Sequence, residues 1–266
     1  DDVLSMCFLT FFNGKKPVLF PDITYSFYSV WADLYRIPYE KQKLDDNMKI
    51  VPEDYYKENG GVIFPNPNAP TGLLMDLDSV RDIIEHNKDV VVIVDEAYID
   101  FGGVSAKDLV NEYDNVLVVQ TFSKSRSMAG MRIGYAFGSK ELIKALNDVK
   151  FSFNSYTMNM TSIDMGVASI NDKKYFEECV ERITATRERT KEELTKLGFT
   201  FPDSKANFIF ATHKSVPAKE IFEKLKDLNI FVRYFAQPGI DNYLRITIGT
   251  DEQMDKLISA LSEIVG

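Results

Sequence analysis

The chain has 266 residues, of which 45% are hydrophobic and 27% are charged, the composition of a soluble globular protein with a large core. Its net charge of −9 would repel a phosphodiester backbone, so nucleic acid is not an expected partner. Two cysteines are too few for a disulfide framework, and no apolar run approaches the roughly 20 residues that cross a bilayer, so we expect a reducing, cytoplasmic setting and no membrane partner.

The first predicted element is an amphipathic helix at the start of the chain. Apolar residues at positions 3, 4, 6, 8, 9, 11 and 12 recur with helical spacing, and the pattern ends at the stop signal Asn13-Gly14. Because Asp1 already lies within this pattern, we expect the sequence to start partway along a longer polypeptide.

Short apolar runs then alternate with helical patterns as far as about residue 150. The runs that predict strands are PVLF, GVIF, VVVIV, VLVVQ and RIGYAFG. The segments YSFYSVWADLY and DLDSVRDIIEHN predict helices. Continuous Val and Ile runs separated by helices are typical of buried strands, so we predict an α/β fold with a mainly parallel sheet.

The pattern changes from about residue 172. The segment KYFEECVERITATRERTKEELTKLG predicts one long helix that ends at Gly198. It is followed by strands over NFIFAT, IFVRYF and YLRITIG, a helix over AKEIFEKLKDLN and a closing helix from Asp251. We therefore predict a large domain over residues 1–172 and a smaller α+β domain over residues 173–266.

Polar motifs follow three of the predicted strands. PNPNAPTG follows GVIF, DEAY follows VVVIV, and TFSK follows VLVVQ. In a mainly parallel sheet, ligands collect outside the carboxyl ends of the strands. We therefore expect the three motifs to meet at one edge of the sheet and to form a site.

Several kinds of site are not expected. The segment VVVIVDE resembles the magnesium-binding strand of a nucleotide hydrolase, but no loop carries the GK[ST] pattern that cradles phosphates. His86 and His213 lie away from any Ser or Cys nucleophile motif, and the sequence contains neither HExxH nor CxxC. Nucleotide hydrolysis, a catalytic triad and a metal centre are therefore disfavoured.

Lys124 alone is consistent with a solvated turn, because most lysines are surface residues. Together with Asp95, Tyr98 and Arg132 it completes a set of amine, carboxylate, phenol and guanidinium groups. Pyridoxal phosphate needs such a set: an amine bonds to its aldehyde, a carboxylate keeps its pyridine nitrogen protonated, and an arginine with hydroxyls binds its phosphate. The sequence therefore predicts a pyridoxal-phosphate site.

A family resemblance rests on the order and spacing of five motifs, which are PNAPTG, DEAY, TFSK…AGMRIGY, ANFIF and NYLRITIGT. The chain resembles the fold-type I pyridoxal-phosphate-dependent aminotransferases over essentially all its length, and within them the branch that acts on histidinol phosphate. The resemblance implies a three-layer large domain, a smaller α+β C-terminal domain, a homodimer, and transamination of histidinol phosphate with 2-oxoglutarate in histidine biosynthesis. An aromatic amino acid aminotransferase and a threonine-phosphate decarboxylase of the same fold stay open as alternatives.

The resemblance also implies a role for each matching residue. Lys124 would be the catalytic lysine that bonds to the cofactor, with Asp95 at the pyridine nitrogen and Tyr98 at the ring hydroxyl. Four further residues would contact the cofactor: Tyr25 on the ring face, and Thr121, Ser123 and Arg132 at the phosphate. Three residues would bind the substrate: Arg233, Arg245 and Asn207. The alternatives are a core tyrosine for Tyr25 and a surface strand arginine for Arg233.

The chain departs from the family pattern in two respects. The family commonly carries Asn-Asn-Pro-Thr-Gly, whose second Asn contacts the ring hydroxyl, and strict register puts Ala69 there. We expect Asn68 to reach in its place, with Tyr98 acting alone as the alternative. The family also has chain before the position of Asp1, including a glycine turn at the phosphate and a tyrosine lent to the partner subunit. We therefore expect a truncated form with weakened cofactor binding and little transamination, a wholly inactive form being the remote alternative.

Overall fold

The computed structural model describes the backbone of residues 1–266 and every side chain except that of Phe153. Six strands form the first sheet, in the order β2-β1-β3-β4-β5-β6. The strands are β1 (Val18–Pro21), β2 (Tyr39–Gln42), β3 (Gly61–Pro65), β4 (Val92–Asp95), β5 (Val116–Thr121) and β6 (Gly134–Gly138). The first five strands are parallel and β6 is antiparallel to β5, which confirms the predicted α/β fold with a mainly parallel sheet.

Helices cover both faces of this sheet. On one face lie α1 (Asp2–Phe11), α2 (Phe27–Tyr35) and α4 (Lys140–Phe153), and on the other lies α3 (Leu77–Glu85). A fifth helix, α5 (Met160–Asn171), packs against the long helix that follows it. Ile63, Ile93 and Leu117 pack with α1 and α2 on one face, whereas their strand neighbours Val62 and Val92 pack with α3 on the other. Since successive strand residues point to opposite faces and both faces are covered, the strands need continuous apolar runs, and three layers result.

The second sheet has four antiparallel strands in the order β7-β8-β10-β9. Its strands are β7 (Phe199–Thr200), β8 (Phe208–His213), β9 (Arg233–Tyr234) and β10 (Leu244–Thr247), and its helices are α6 (Lys173–Lys196), α7 (Ala218–Asp227) and α8 (Asp251–Val265). The predicted strand IFVRYF is shorter than expected, because only Arg233 and Tyr234 of this segment pair with β10. The division into domains at residues 172 and 173 stays a prediction.

Contacts between the two sheets come from α6 and from the start of β8. Arg187 of α6 is buried, and its Nη1 donates to the carbonyl oxygens of Phe101 and Ala206 at 2.8 and 2.9 Å. The Phe208 ring meets the Tyr98 ring edge to face, with centroids 5.0 Å apart. These contacts hold the second sheet against the segment that follows β4.

A helix that spans a membrane must be both long and apolar. Among the described residues, no helix is both long enough and apolar enough to span one.

Candidate active site

A cavity of about 390 Å³ lies where β4 and β5 end. Seven of the residues predicted at the site line it: Tyr25, Asp95, Tyr98, Thr121, Ser123, Lys124 and Arg132. The first turn of α1 completes the wall with Asp1, Asp2 and Val3. Because β4 and β5 are neighbouring parallel strands, the segments that follow them emerge at the same edge of the sheet, as the sequence predicted.

Asp95 is the last residue of β4 and lies at the closed end of the cavity, with 5% of its surface exposed. Its Oδ2 accepts a hydrogen bond from the Tyr28 hydroxyl at 2.8 Å, and its Oδ1 accepts one from the Ala97 N–H at 3.2 Å. Burial raises the pKa of the Asp95 carboxyl, because a charge is poorly solvated there, and both hydrogen bonds oppose that rise. Asp95 is thus a buried acceptor prepared for a cationic partner.

Lys124 lies in the turn that follows β5. The turn is fixed by local hydrogen bonds, in which the Ser123 N–H donates to Thr121 Oγ1 at 3.1 Å and the Met128 N–H to the Phe122 carbonyl at 3.0 Å. The half-buried Lys124 side chain places Nζ 5.2 Å from the centroid of the Tyr98 ring. Lys124 therefore lines the cavity at the edge of the sheet where β4 and β5 end.

The open end of the cavity carries groups that suit an anion. Arg132 has a left-handed backbone (φ 56°), and 60% of its side chain is exposed. Its guanidinium lies 3.4 Å from the Asp1 carboxylate, which also accepts a hydrogen bond from the Tyr25 hydroxyl at 2.7 Å. The Thr121 hydroxyl is nearby and donates to the Ile133 carbonyl at 3.1 Å. The cavity wall therefore combines a buried carboxylate, Asp95, with an exposed guanidinium, Arg132.

Asn68, which was predicted to reach the cofactor's ring hydroxyl, hydrogen-bonds to its own loop and to the segment before α2. Its Oδ1 accepts from the Thr24 hydroxyl at 3.0 Å, and its Nδ2 donates to the Ile23 carbonyl at 3.0 Å and to Thr71 Oγ1 at 3.2 Å. Since both amide protons and the amide oxygen have partners, the side chain ties its own loop to the segment before α2 and does not line the cavity. Ala69, which is 6% exposed, lines it and packs against Tyr98.

The predicted substrate residues lie on the second sheet and do not line the cavity. Arg233 and Arg245 are paired positions of β9 and β10. The Arg245 guanidinium lies 5.2 Å from the Phe208 ring centroid, and among the described side chains its Nε is buried without a hydrogen-bond partner. Arg233 is exposed, and Asn207 is half-buried with its carbonyl accepting from the Ile248 N–H at 2.9 Å. Phe208, at the start of β8, links the second sheet to the cavity wall through Tyr98 and Ala69.

Three residues at the cavity were not predicted from the sequence. Tyr28 touches Asp95 directly, and Gln120 and Lys150 line the cavity. Tyr28 lies in the predicted helical segment YSFYSVWADLY, on the buried side of the helix, where a tyrosine hydroxyl usually needs a partner. This requirement could have indicated that Tyr28 hydrogen-bonds to a buried group, but the sequence does not identify that group.

Comparison with known proteins places this geometry in a family context. A sequence profile of the family described as "Aminotransferase class I and II" matches residues 1–261. A curated histidinol-phosphate aminotransferase of Clostridium beijerinckii is 53% identical over 265 residues, which are 100% of this chain and 74% of that protein.

Solved structures show the same fold. The histidinol-phosphate aminotransferase of Clostridium acetobutylicum matches with a TM-score of 0.90 and 24% identity, over 98% of this chain and 81% of that one. The histidinol-phosphate aminotransferase of Sinorhizobium meliloti in complex with pyridoxal-5'-phosphate matches with a TM-score of 0.89 and 21% identity, over 99% of this chain and 74% of that one. At these identities the two structures speak for the fold alone.

Proposed function

The chain belongs to the family of class I and II aminotransferases, and from that membership we propose that it transfers an amino group between histidinol phosphate and 2-oxoglutarate. Membership of the family confirms the resemblance found in the sequence. The reaction is a step of histidine biosynthesis, and the proposal includes pyridoxal phosphate as the cofactor and a cytoplasmic location. The observation that carries it is the meeting of Asp95, Lys124 and Arg132 at one cavity in a chain 53% identical to a histidinol-phosphate aminotransferase.

The residues present fit pyridoxal phosphate. The cofactor has a basic ring nitrogen, an aldehyde and a phosphate, and the cavity wall offers a carboxylate, an amine and a guanidinium to match them. Asp95 would hold the ring nitrogen and Lys124 the aldehyde carbon. The remaining residues of the proposed cofactor site are Tyr25 on the ring face, Tyr98 at the ring hydroxyl, and Thr121, Ser123 and Arg132 at the phosphate. Asn68 at the ring hydroxyl stays a prediction, since its amide bonds Thr24, Ile23 and Thr71 and it does not line the cavity.

Two residues would carry the chemistry. When bound, the cofactor supplies an aldehyde that takes up the amino group and a ring that withdraws electrons from the substrate carbon. Lys124 Nζ would accept the proton from the substrate Cα and return it to the cofactor carbon, a task suited to an amine held inside the cavity wall. Asp95 would keep the ring nitrogen protonated, since a buried carboxylate stabilises an adjacent cation strongly.

Substrate choice would depend on the second sheet. Arg233 and Arg245 are adjacent across two strands and offer two planar forks, which suit a dianionic phosphate better than a single carboxylate. The Arg245 side chain already stacks on Phe208 and leaves its buried Nε without a partner among the described residues. We therefore assign this arginine pair to the substrate phosphate, and Asn207, the residue before β8, to a further substrate contact.

A homodimer is also part of the proposal. α5 exposes four large apolar side chains at helical spacing: Met160 at 80%, Ile163 at 48%, Val167 at 55% and Ile170 at 50%. An exposed apolar face of this extent is typical of an interface, and symmetric pairing of two copies is the commonest way to cover one. Light scattering should give twice the mass of the chain, and Ile163→Asp should reduce it to that of a monomer.

Steady-state kinetics test the proposed substrate. The protein loaded with pyridoxal phosphate is given 2-oxoglutarate with either histidinol phosphate or phenylalanine, and the glutamate formed is measured. We expect kcat/KM for histidinol phosphate to exceed that for phenylalanine by at least about a hundredfold, the discrimination of a site built for a charged group. A preference for phenylalanine would favour the aromatic aminotransferase, and release of carbon dioxide from threonine phosphate would favour the decarboxylase.

A further inference from the structure

Tyr28 is the side chain outside the predicted site that is most directly joined to it. It lies in the first turn of α2 and is fully buried. Its ring packs between Phe8 of α1 and Phe20 of β1, with ring centroids 6.1 and 5.8 Å away. Its hydroxyl donates to Asp95 Oδ2 at 2.8 Å. The phenol is therefore fixed by the core and cannot turn away from the carboxylate.

The direction of this hydrogen bond follows from the surroundings of the two groups. Burial raises the pKa of the Tyr28 hydroxyl well above its ordinary value, and the adjacent Asp95 charge raises it further, so the phenol stays protonated and acts as the donor. A donor stabilises the charged form of its acceptor. The hydrogen bond therefore opposes the burial that raises the pKa of Asp95.

We propose that Tyr28 is a positioning residue that holds the Asp95 carboxylate charged and in one orientation at the closed end of the cavity. The inference rests on the proposed function only for what Asp95 does with the cofactor ring. The hydrogen bond and its effect on Asp95 belong to the protein alone and can be measured without cofactor.

Other titratable and charged groups also face this carboxylate. They are Cys7 on α1, Tyr25 before α2, Lys124 after β5 and the amino group of Asp1, while Tyr98 and Arg132 line the same cavity. A change in the pH response of Asp95 can be assigned to Tyr28 only if these groups are left in place, so the test uses a substitution that keeps the ring and removes one oxygen.

The chain offers a matched control for that substitution. Tyr55 is 1% exposed and packs against Phe64, in the core on the other face of the sheet. Among the described residues its hydroxyl is buried without a hydrogen-bond partner. Tyr55→Phe therefore removes the same atom from an equally buried ring without touching Asp95.

The closing experiment measures the titration of Asp95 directly. Protein labelled with ¹³C at the aspartate carboxyl carbons is titrated without cofactor by NMR, and the Asp95 signal is assigned from its absence in Asp95→Asn. We expect Tyr28→Phe to move the midpoint upward by about one pH unit, the scale of one hydrogen bond to a charged group, and Tyr55→Phe to leave it unchanged. Incorporation of 3-fluorotyrosine at position 28, a more acidic phenol and a stronger donor, should move the midpoint downward.

Cofactor binding gives a second, separate readout. Pyridoxal phosphate affinity, followed by absorbance, should be about tenfold weaker in Tyr28→Phe below the Asp95 midpoint and should converge with that of the Tyr55→Phe control at high pH. An unchanged Asp95 midpoint in Tyr28→Phe would overturn the inference, and if that variant does not fold, an unchanged midpoint with 3-fluorotyrosine does the same. A shifted midpoint in a protein that binds no pyridoxal phosphate would uphold Tyr28 and reject the proposed function.

Discussion

The Lys124 amine lies over the face of the Tyr98 ring, with Nζ 5.2 Å from the ring centroid. Tyr98 follows β4 and Lys124 follows β5, and the two strands are parallel neighbours in which Asp95 pairs with Val119. This pairing brings two segments that are distant in sequence to one edge of the sheet. The proposed reaction depends on that edge, because the groups that would hold the cofactor ring and its aldehyde meet there.

Asp95 and Glu96 are adjacent buried carboxyls with different roles. Asp95 faces the cavity, whereas Glu96 accepts from the Ser105 hydroxyl, the Ala106 N–H and the Gln120 amide. Asp95→Asn should fold normally and lose at least about a hundredfold in kcat, because the ring nitrogen loses its anionic partner. Glu96→Gln should cost about 1–2 kcal/mol of unfolding free energy and keep most of its turnover. Equal turnover in the two variants would contradict the assignment of Asp95.

The pH dependence of stability follows from the raised pKa of Asp95. Burial raises this pKa in the folded protein above its unfolded value, so the folded state binds the proton more tightly. Unfolding free energy attributable to this group is therefore greatest below the unfolded pKa and falls as pH rises through the folded pKa. Without cofactor, Asp95→Asn should be more stable than the natural protein at neutral pH, and the gain should shrink as pH falls. Urea unfolding at several values between about pH 5 and pH 8 measures this difference in unfolding free energy.

Arg187 should be needed for the contact between the two sheets. Its removal would leave the buried carbonyl oxygens of Phe101 and Ala206 without their shared donor. Arg187→Met should cost about 2–4 kcal/mol of unfolding free energy. The control on the same helix is Arg189, which is 40% exposed and pairs with Asp251 and Asp255, so that Arg189→Met should cost less than about 1 kcal/mol. Similar losses in the two variants would argue against the role given to Arg187.

Much of this arrangement could be predicted from the sequence. The parts that were not predicted were missed for physical reasons. Continuous apolar runs gave the central strands because both faces of the sheet are covered. β2 was missed because its residues are polar and mostly exposed at an edge. The hydrogen bonds of the Asn68 amide could not be predicted, because such local bonds leave no periodic signal, and its contact with the ring hydroxyl stays a prediction. The distance of Arg245 from the cavity depends on how the two sheets pack, which strand patterns do not specify.

Arg245 should determine the substrate without affecting the cofactor. It lies on β10, away from the cavity wall, and its guanidinium stacks on Phe208. Arg245→Lys keeps the charge but loses the planar fork, so kcat/KM for histidinol phosphate should fall by about ten- to a hundredfold. Pyridoxal phosphate affinity, measured by absorbance titration, should stay within about twofold of that of the natural protein, because Arg245 is proposed to contact the substrate and not the cofactor. A parallel loss of cofactor affinity would place Arg245 at the cofactor instead.

The central claim is that Lys124 is the residue that bonds to pyridoxal phosphate. The protein is incubated with the cofactor, reduced with borohydride, digested and analysed by mass spectrometry, with Lys150, the other lysine of the cavity wall, as the internal comparison. The account predicts the pyridoxyl mass on the peptide that contains Lys124, and its loss in Lys124→Ala. A label on Lys150 or on any other lysine, with Lys124 unmodified, would contradict it.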